Sequence, residues 1–434
     1  MLPMIVQHSE TLVTFFSLLN LALYQPQIRH LLRIVDALLA SNERKTLSDL
    51  SRLFKEMPDA KNLADFFRES PWTVDLIGKP RKKFMLQVAL ELARKAGLPL
   101  EVLVGIDDSL GKKGKATKHL QAVDYHHNHN ESTKSRQAWN NGYVYVEAHV
   151  QIGPFSFLFD TQIYLREKKV RHLNRKRSKD KRVKYRSKYN LANAMLTELA
   201  DLLPEDCKVY VLFDSWYASA KLINFCLRHK RWQVICALKS NRRLGKVRVD
   251  VHNQTLRHKP YQMVKLAAVD EQTPARTYHV RTVHGQIEDV AQEVYVIISK
   301  KRPGDFRPKY FLCSDLSLSA EEALRIYQKR WPVEVDNLYL KGALGLGDFR
   351  LQSLEATQKW FEVVTLALNY LQYRAMLEYQ PKRPLPSLAD CKRQHQHAHF
   401  KAFLHALAAE VKRCPARVDA IVQSFLPAER FVAT

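Results

Sequence analysis

Three carboxylates stand out by what surrounds them. Asp107 follows the run V-L-V-G-I and Asp214 follows V-Y-V-L-F, each an apolar stretch of the kind that forms a strand. A strand that runs straight into an aspartate sets that carboxylate at the carboxyl edge of a sheet, where α/β proteins hold their ligands. Neighbouring strands ending this way bring like charges together, and each ionised group then raises the pKa of the other unless cations compensate. Oxygen-only donors favour Mg²⁺ or Mn²⁺ over zinc. Taken singly, a strand-end aspartate is also an ordinary turn former or helix cap. The third acid, Glu334, lies in Y-Q-K-R-W-P-V-E-V-D-N-L-Y-L-K, residues 327–341. At about 100° per residue, Tyr327, Arg330, Glu334 and Lys341 fall on one helical stripe. That face unites an acid, two cations and a phenol; its plain alternative is a salt-bridged surface in which Glu334 pairs with Arg330 or Lys341. Pro332 predicts a kink in this helix or a new helix at its first turn.

The elements that must position these groups follow from periodicity. Residues 1–98 read as several short amphipathic helices, suited either to a DNA-binding bundle of helix-turn-helix type or to a plain scaffold. From residue 99 to 244 the pattern is β-β-β-α-β-α-β. The first strand ends at Asp107, two more span Tyr143–Val150 and Phe155–Tyr164 with a Gly153-Pro154 turn, and a fourth ends at Phe213. Three antiparallel strands followed by two α/β steps is the order expected of a ribonuclease H-like domain. Residues 245–315 read as a β-rich insertion of short strands, beginning with Lys246–Val251. From Ser319 the chain is helical again, opened by the capping box Ser319-x-x-Glu322. Residues 316–375 complete the catalytic domain and 376–434 form a helical C-terminal region. The fold class is therefore α/β, with helical regions at both ends.

Composition narrows the partner. The net charge is +25 from 69 Lys+Arg against 44 Asp+Glu, which repels itself unless a polyanion is bound. Nucleic acid fits, because neutralising phosphates releases counterions. A membrane is the rival, but no run of 18 or more apolar residues is present, and the first residues lack the basic region of a signal peptide. The six cysteines have no CxxC spacing, which suits a reducing compartment. Between Arg166 and Lys188 there are thirteen Lys/Arg and two acids. Such a run is usually a solvated loop; placed inside the catalytic domain it reads as a loop that grips DNA through Arg175, Lys176, Arg177 and Arg182. Trp216, Lys239, Arg242 and Arg243 stand where a nucleic-acid strand end would pass. Two histidine clusters, His126/His127/His129 and Cys391/His395/His397/His399, have zinc-ligand types without paired spacing, and read as polar loop and helix surface.

At this point the sequence resembles a large group of bacterial insertion-sequence transposases. Tyr327, Arg330, Glu334 and Lys341 match that group's Y-x2-R-x3-E-x6-K signature, flanked by R-W-P-V-E and K-G-A-L-G-L-G-D-F. Asp107 with Ser109 is similar to the D-x-S/T that opens its catalytic domain, although Asp108 follows at once and competes for the role. Asp214 in D-S-W-Y looks like its second aspartate, and the group inserts a β-domain before the glutamate. The resemblance covers roughly residues 100–375. It implies a ribonuclease H-like DDE transposase of cut-and-paste type, cytoplasmic in a bacterium, in which Asp107, Asp214 and Glu334 bind two Mg²⁺ ions, Mn²⁺ substituting, about 4 Å apart. It also implies that Arg330 and Lys341 hold phosphates while Tyr327 packs on the DNA backbone. The partners implied are double-stranded transposon ends and target DNA, with the protein a homodimer on DNA. Two rivals remain: a silent DNA-binding regulator derived from a transposase, and a structure-specific nuclease of the same fold.

Overall fold

The computed structural model describes residues 4–56, 58–128, 131–133, 135–268 and 274–425. Five helices come first: α1 (Glu10–Leu19), α2 (Gln25–Ala40), α3 (Leu47–Ser51), α4 (Ala60–Arg68) and α5 (Asp75–Lys95). The central region holds β1 (Glu101–Lys112), β2 (Asp124–His127), β3 (Trp139–Ile152), β4 (Phe155–Tyr164), α6 (Glu167–Asn174), α7 (Lys188–Leu202), β5 (Lys208–Phe213), α8 (Ala220–Leu227) and β6 (Trp232–Leu238). Then come the short pair β7 (Arg243–Leu244) and β8 (Val247–Arg248), α9 (Val249–Thr255), β9 (Gln262–Leu266), β10 (Arg276–Gly285), β11 (Val294–Lys300) and β12 (Lys309–Cys313). The chain closes with α10 (Ala320–Gln328), α11 (Pro332–Leu338), α12 (Leu354–Leu377), α13 (Leu388–Arg413) and α14 (Val418–Phe425).

Ten strands make one mixed sheet. Its order is β2-β3-β1-β5-β6-β12-β11-β10-β9, with β4 also paired to β3. Within it, β3 pairs antiparallel with both β4 and β1, while β5 and β6 run parallel to β1. The segment 245–315 does not form a separate sheet apart from the small β7–β8 pair: β12 pairs antiparallel with β6, and β11, β10 and β9 carry the sheet outward. One hydrophobic core runs from Ile5 through α1, α2, α4 and α5 into the sheet and α12, so the N-terminal helices share a core with the strands. A second cluster covers the other face, where Leu103, Tyr210, Leu212 and Ile235 meet Ala323, Leu324 and Ile326 of α10. Among the described residues no helix is long and apolar enough to cross a membrane.

Four local expectations are corrected. The first strand does not stop at Asp107; it continues to Lys112, because β3 pairs with it as far as Gly142. The basic run is not all loop. Its first part is α6, whose Val170 is buried beside Leu165 and Leu354. Residues 249–255 are helical although their apolar alternation suggested a strand, since Val249 alone anchors them in the core. The stripe at 327–341 is not one regular helix. The helix α10 ends at Gln328, Pro332 sits in the first turn of α11, and Tyr339–Ala343 widens into a π-helical turn. The capping box is formed as expected, with Ser319 Oγ accepting from the Glu322 N–H.

Candidate functional site

The parallel pairing of β1 and β5 ends at Ile106 opposite Phe213, so Asp107 and Asp214 are the next residues on adjacent strands. Pairing parity sends Leu103, Gly105, Asp107 and Ser109 to the face where α10 and α11 pack. Gly105 makes that packing possible. A Cβ there would lie 2.7 Å from Val333 Cγ2, closer than carbon atoms tolerate. The glycine lets Val333 settle on the strand, and Glu334 follows it at the rim above Asp107.

The helix α11 is held by buried polar contacts on its inner side. Asn337 donates to Glu147 of β3 and accepts from the Tyr145 hydroxyl. Asp336 meets His149 and accepts from Gln372 Nε2 of α12 at 2.7 Å. Register places Glu147 directly opposite Asp107. Glu147 is fully buried and its Oε2 has no partner among the described residues, so burial, followed by the charges of Asp336 and Asp107, pushes its pKa well above the carboxylate range. This fourth acid escaped the sequence reading; a glutamate inside the otherwise apolar Y-V-Y-V-E-A-H-V was the available signal.

Asp107 Oδ1 accepts from the Asp108 N–H at 2.8 Å, and its Oδ2 accepts from Arg330. Arg330 also approaches Glu334 at 3.8 Å, bridging the two acids. Burial raises the Asp107 carboxyl to about 6, opposed by Arg330 and the Asp108 N–H, and reinforced by Asp214 and Glu334. The three acids therefore lie within electrostatic reach of one another, though their oxygens do not all come within 4.8 Å. Asp214 Oδ1 accepts from the Trp216 and Tyr217 N–H groups at 2.9 and 3.2 Å, which fixes the turn after β5. Asp108 points the other way and pairs with Lys188 at 2.6 Å. Lys341 donates to Ser109 Oγ and, at 3.1 Å, to the Leu110 carbonyl.

The remaining predicted residues divide. Tyr327 packs its ring against Phe311 at 4.9 Å, half-buried below Arg330, where burial pushes its hydroxyl up to about 12. Trp216 stacks on Tyr189 with ring centroids 4.9 Å apart and forms, with Lys239 and Arg242, the wall of a cavity of about 160 Å³ beside Asp214. Arg242 Nε and Nη2 have no partner among the described residues. Arg175, Lys176, Arg182 and Arg243 are exposed. Arg177 is committed inside the protein, donating to Glu355 and to Gln121 Oε1 at 2.7 Å. Of the histidines, His126 is buried in β2, with burial depressing its pKa to about 4; His129 falls outside the described residues. His397 is exposed, but His395 and His399 are not surface groups at all. They are buried against Asp36 of α2.

The ion-binding chemistry fits what is present. Three oxygen-donor acids share one rim, and mutual repulsion helps hold one of them at about 6, a cost that a divalent cation would remove. A family model described as DDE superfamily endonuclease matches residues 17–290, and the chain belongs to that family. Enzymes of this family generally use divalent metal ions. No curated protein matches the sequence. A solved structure, the cryo-EM structure of a piggyBac transposase synaptic complex with hairpin DNA, is similar at a TM-score of 0.47 and 13% identity, over 93% of this chain and 76% of that one.

Proposed function

We propose that this endonuclease is a DNA transposase of the insertion-sequence group, cutting at transposon ends and joining them to target DNA. The observation that carries the reading is the convergence of Asp107, Asp214 and Glu334 on one sheet edge, with Arg330 and Lys341 beside them. The strand order β4-β3-β1-β5-β6 supports a ribonuclease H-like catalytic core built from residues 99–244 and 316–375. Residues 245–315 are then its β insertion, 1–98 the region meeting transposon ends and 376–434 a helical C-terminal support. The proteins act in pairs on double-stranded DNA in the bacterial cytoplasm.

The three acids would hold two Mg²⁺ ions. Bound there, such ions activate the attacking oxygen and offset charge on the leaving one. The protein's share is positioning and neutralisation, as in phosphoryl transfer without a covalent intermediate. Asp108, paired with Lys188, keeps a cation next to the rim. Arg330, placed between Asp107 and Glu334, would hold a phosphate, and Lys341 at Ser109 would hold the next one. Tyr327 supports Arg330 from below. Arg175, Lys176, Arg182, Lys239 and Arg243 would neutralise the DNA backbone, while Trp216 and Arg242 line the path of the cleaved end.

The test is Mg²⁺-dependent cleavage and strand transfer on DNA carrying the element's own ends. The reading expects both reactions from the wild type and neither from Asp214→Ala, with DNA binding kept by both. Cleavage without joining indicates a structure-specific nuclease. Tight binding with neither reaction indicates a regulator and ends the enzyme reading.

A further inference from the structure

Far from the carboxylate rim, α2 and α13 meet through a buried group of metal-ligand types. His395 Nε2 and His399 Nε2 lie 2.9 and 2.7 Å from Asp36 Oδ1, and 3.2 Å from each other. His8 Nδ1 reaches the other oxygen, Asp36 Oδ2, at 2.7 Å. The relative exposures of Asp36, His395 and His399 are 0%, 4% and 2%. Among the described residues this is the one group of three such side chains whose donor atoms all lie within 4.8 Å.

Hydrogen bonding can hold this triangle, but it crowds two ring nitrogens onto one carboxylate oxygen. If both imidazoles carry their proton on Nε2, both N–H groups converge on one carboxylate oxygen with their nitrogens 3.2 Å apart. If one ring moves its proton to Nδ1, its Nε2 lone pair faces the carboxylate instead. A cation at the centre satisfies both rings in the second form. The outer groups suit that form: the His395 Nδ1 is 3.5 Å from the Tyr370 hydroxyl, which in turn meets Thr11 Oγ1 at 2.6 Å. Such outer hydrogen bonds commonly fix the tautomer of a metal-bound histidine. The spacing also fits, because residues four apart on a helix project side by side.

We propose that Asp36, His395 and His399 bind one zinc ion that clasps α2 to α13, with a water as fourth donor and His8 holding the far oxygen of Asp36 from outside. Two imidazoles and a carboxylate make a nitrogen and oxygen set of the kind zinc takes, whereas Mg²⁺ prefers oxygen alone. With bonds of about 2.0–2.1 Å, tetrahedral donors stand roughly 3.3 Å apart. The histidine pair is already at that spacing, and each contact to Asp36 has to open by about half an ångström. The clasp has neighbours that fix its register: Lys392 donates to the Ser41 carbonyl and Asn42, and Gln396 to the Ala40 carbonyl. This inference is independent of the proposed transposase activity.

The experiment uses untagged full-length protein, stripped with a chelator and then exposed to Zn²⁺ or Co²⁺ and dialysed. Wild type should retain about one zinc per chain, and the Co²⁺ form should show the intense visible absorption of a tetrahedral site. His399→Gln should retain at least tenfold less zinc and lose that absorption, while Asp214→Ala, which leaves α2 and α13 untouched, should keep both. Should His399→Gln fail to fold, the wild-type cobalt spectrum and zinc content decide alone. Wild type that holds no zinc after dialysis and gives no tetrahedral cobalt spectrum overturns the proposal and leaves a hydrogen-bonded cluster.

Discussion

The rim around Asp107 and the cluster around Asp36 each gather ionisable groups, and they treat charge in opposite ways. At the rim, one guanidinium serves two acids, burial pushes Glu147 upward beneath them, and Asp107 is held above its ordinary pKa. At the cluster, burial would raise Asp36, but hydrogen bonds from His395, His399 and His8 hold it far below the carboxylate range. Both lie on well-packed elements, so packing is not the difference. An open, under-compensated acid group is built to receive something from solution; a closed, compensated one is built to hold elements together.

The comparison breaks most visibly on activity. Asp107→Ala, Asp214→Ala and Glu334→Ala should each lower Mg²⁺-dependent DNA cleavage by about a thousandfold or more with little loss of stability, since electrostatic positioning is the main catalytic term. Asp108→Ala, facing away, should cost about tenfold or less in the same cleavage assay; an equal loss would move the ion site to Asp108. At the cluster the balance reverses. Asp36→Ala should destabilise the fold by about 3 kcal/mol in denaturant titrations, because it leaves the buried ring N–H groups without their acceptor. A change within 0.5 kcal/mol, the usual range of surface substitutions, would show that the cluster contributes nothing.

Acidification sharpens the contrast further in chelated protein. Asp107 has a folded pKa of about 6 against an ordinary 3.8, so the folded state binds its proton first. Stability at the rim is therefore gained as pH falls through 6 and lost as it rises. His395 is shifted down from 6.5, so the unfolded chain binds its proton first and the same acidification costs stability there; Asp36, shifted down from 3.8, adds to that cost only at lower pH. Hydrogen exchange at pH 7 and pH 5, corrected for intrinsic rates, should show α2 and α13 opening more at the lower pH while β1 and β5 do not. The smallest effect belongs to Glu147→Gln. Burial favours the uncharged form of Glu147, so the amide should be tolerated within about 1 kcal/mol by thermal unfolding, whereas a large loss would mean that Glu147 is ionised.

These two regions also differ in how far the sequence discloses them. Asp107 and Asp214 are visible because an apolar strand ending in an acid is a local pattern, and Glu334 because its spacing to Arg330 and Lys341 is local as well. Their partners are not. Gly105 beneath Val333, Glu147 across from Asp107 and Lys188 beside Asp108 are consequences of register between distant strands and helices. The helix stripe shows the same limit: the backbone breaks at Pro332 and widens at Tyr339, yet Arg330 and Lys341 both arrive at β1. His395 and His399 read as surface groups because their helix is rich in charge, and no short-range pattern ties them to Asp36. The extension of β1 to Lys112 was likewise hidden, since its pairing with β3 outlasts its pairing with β5.

The outward run of β12, β11, β10 and β9 has a consequence for the order of events during synthesis. Asp107 and Asp214 emerge from the ribosome well before Glu334, and the chain between them and Glu334 must first lay four strands onto β6. Pairings between distant segments form slowly. A nascent or prematurely terminated chain thus carries two of the three acids and no means to align the third. On the proposed reading of the three acids, a cell making this protein is spared stray DNA cutting until translation has passed α11 and the sheet has closed.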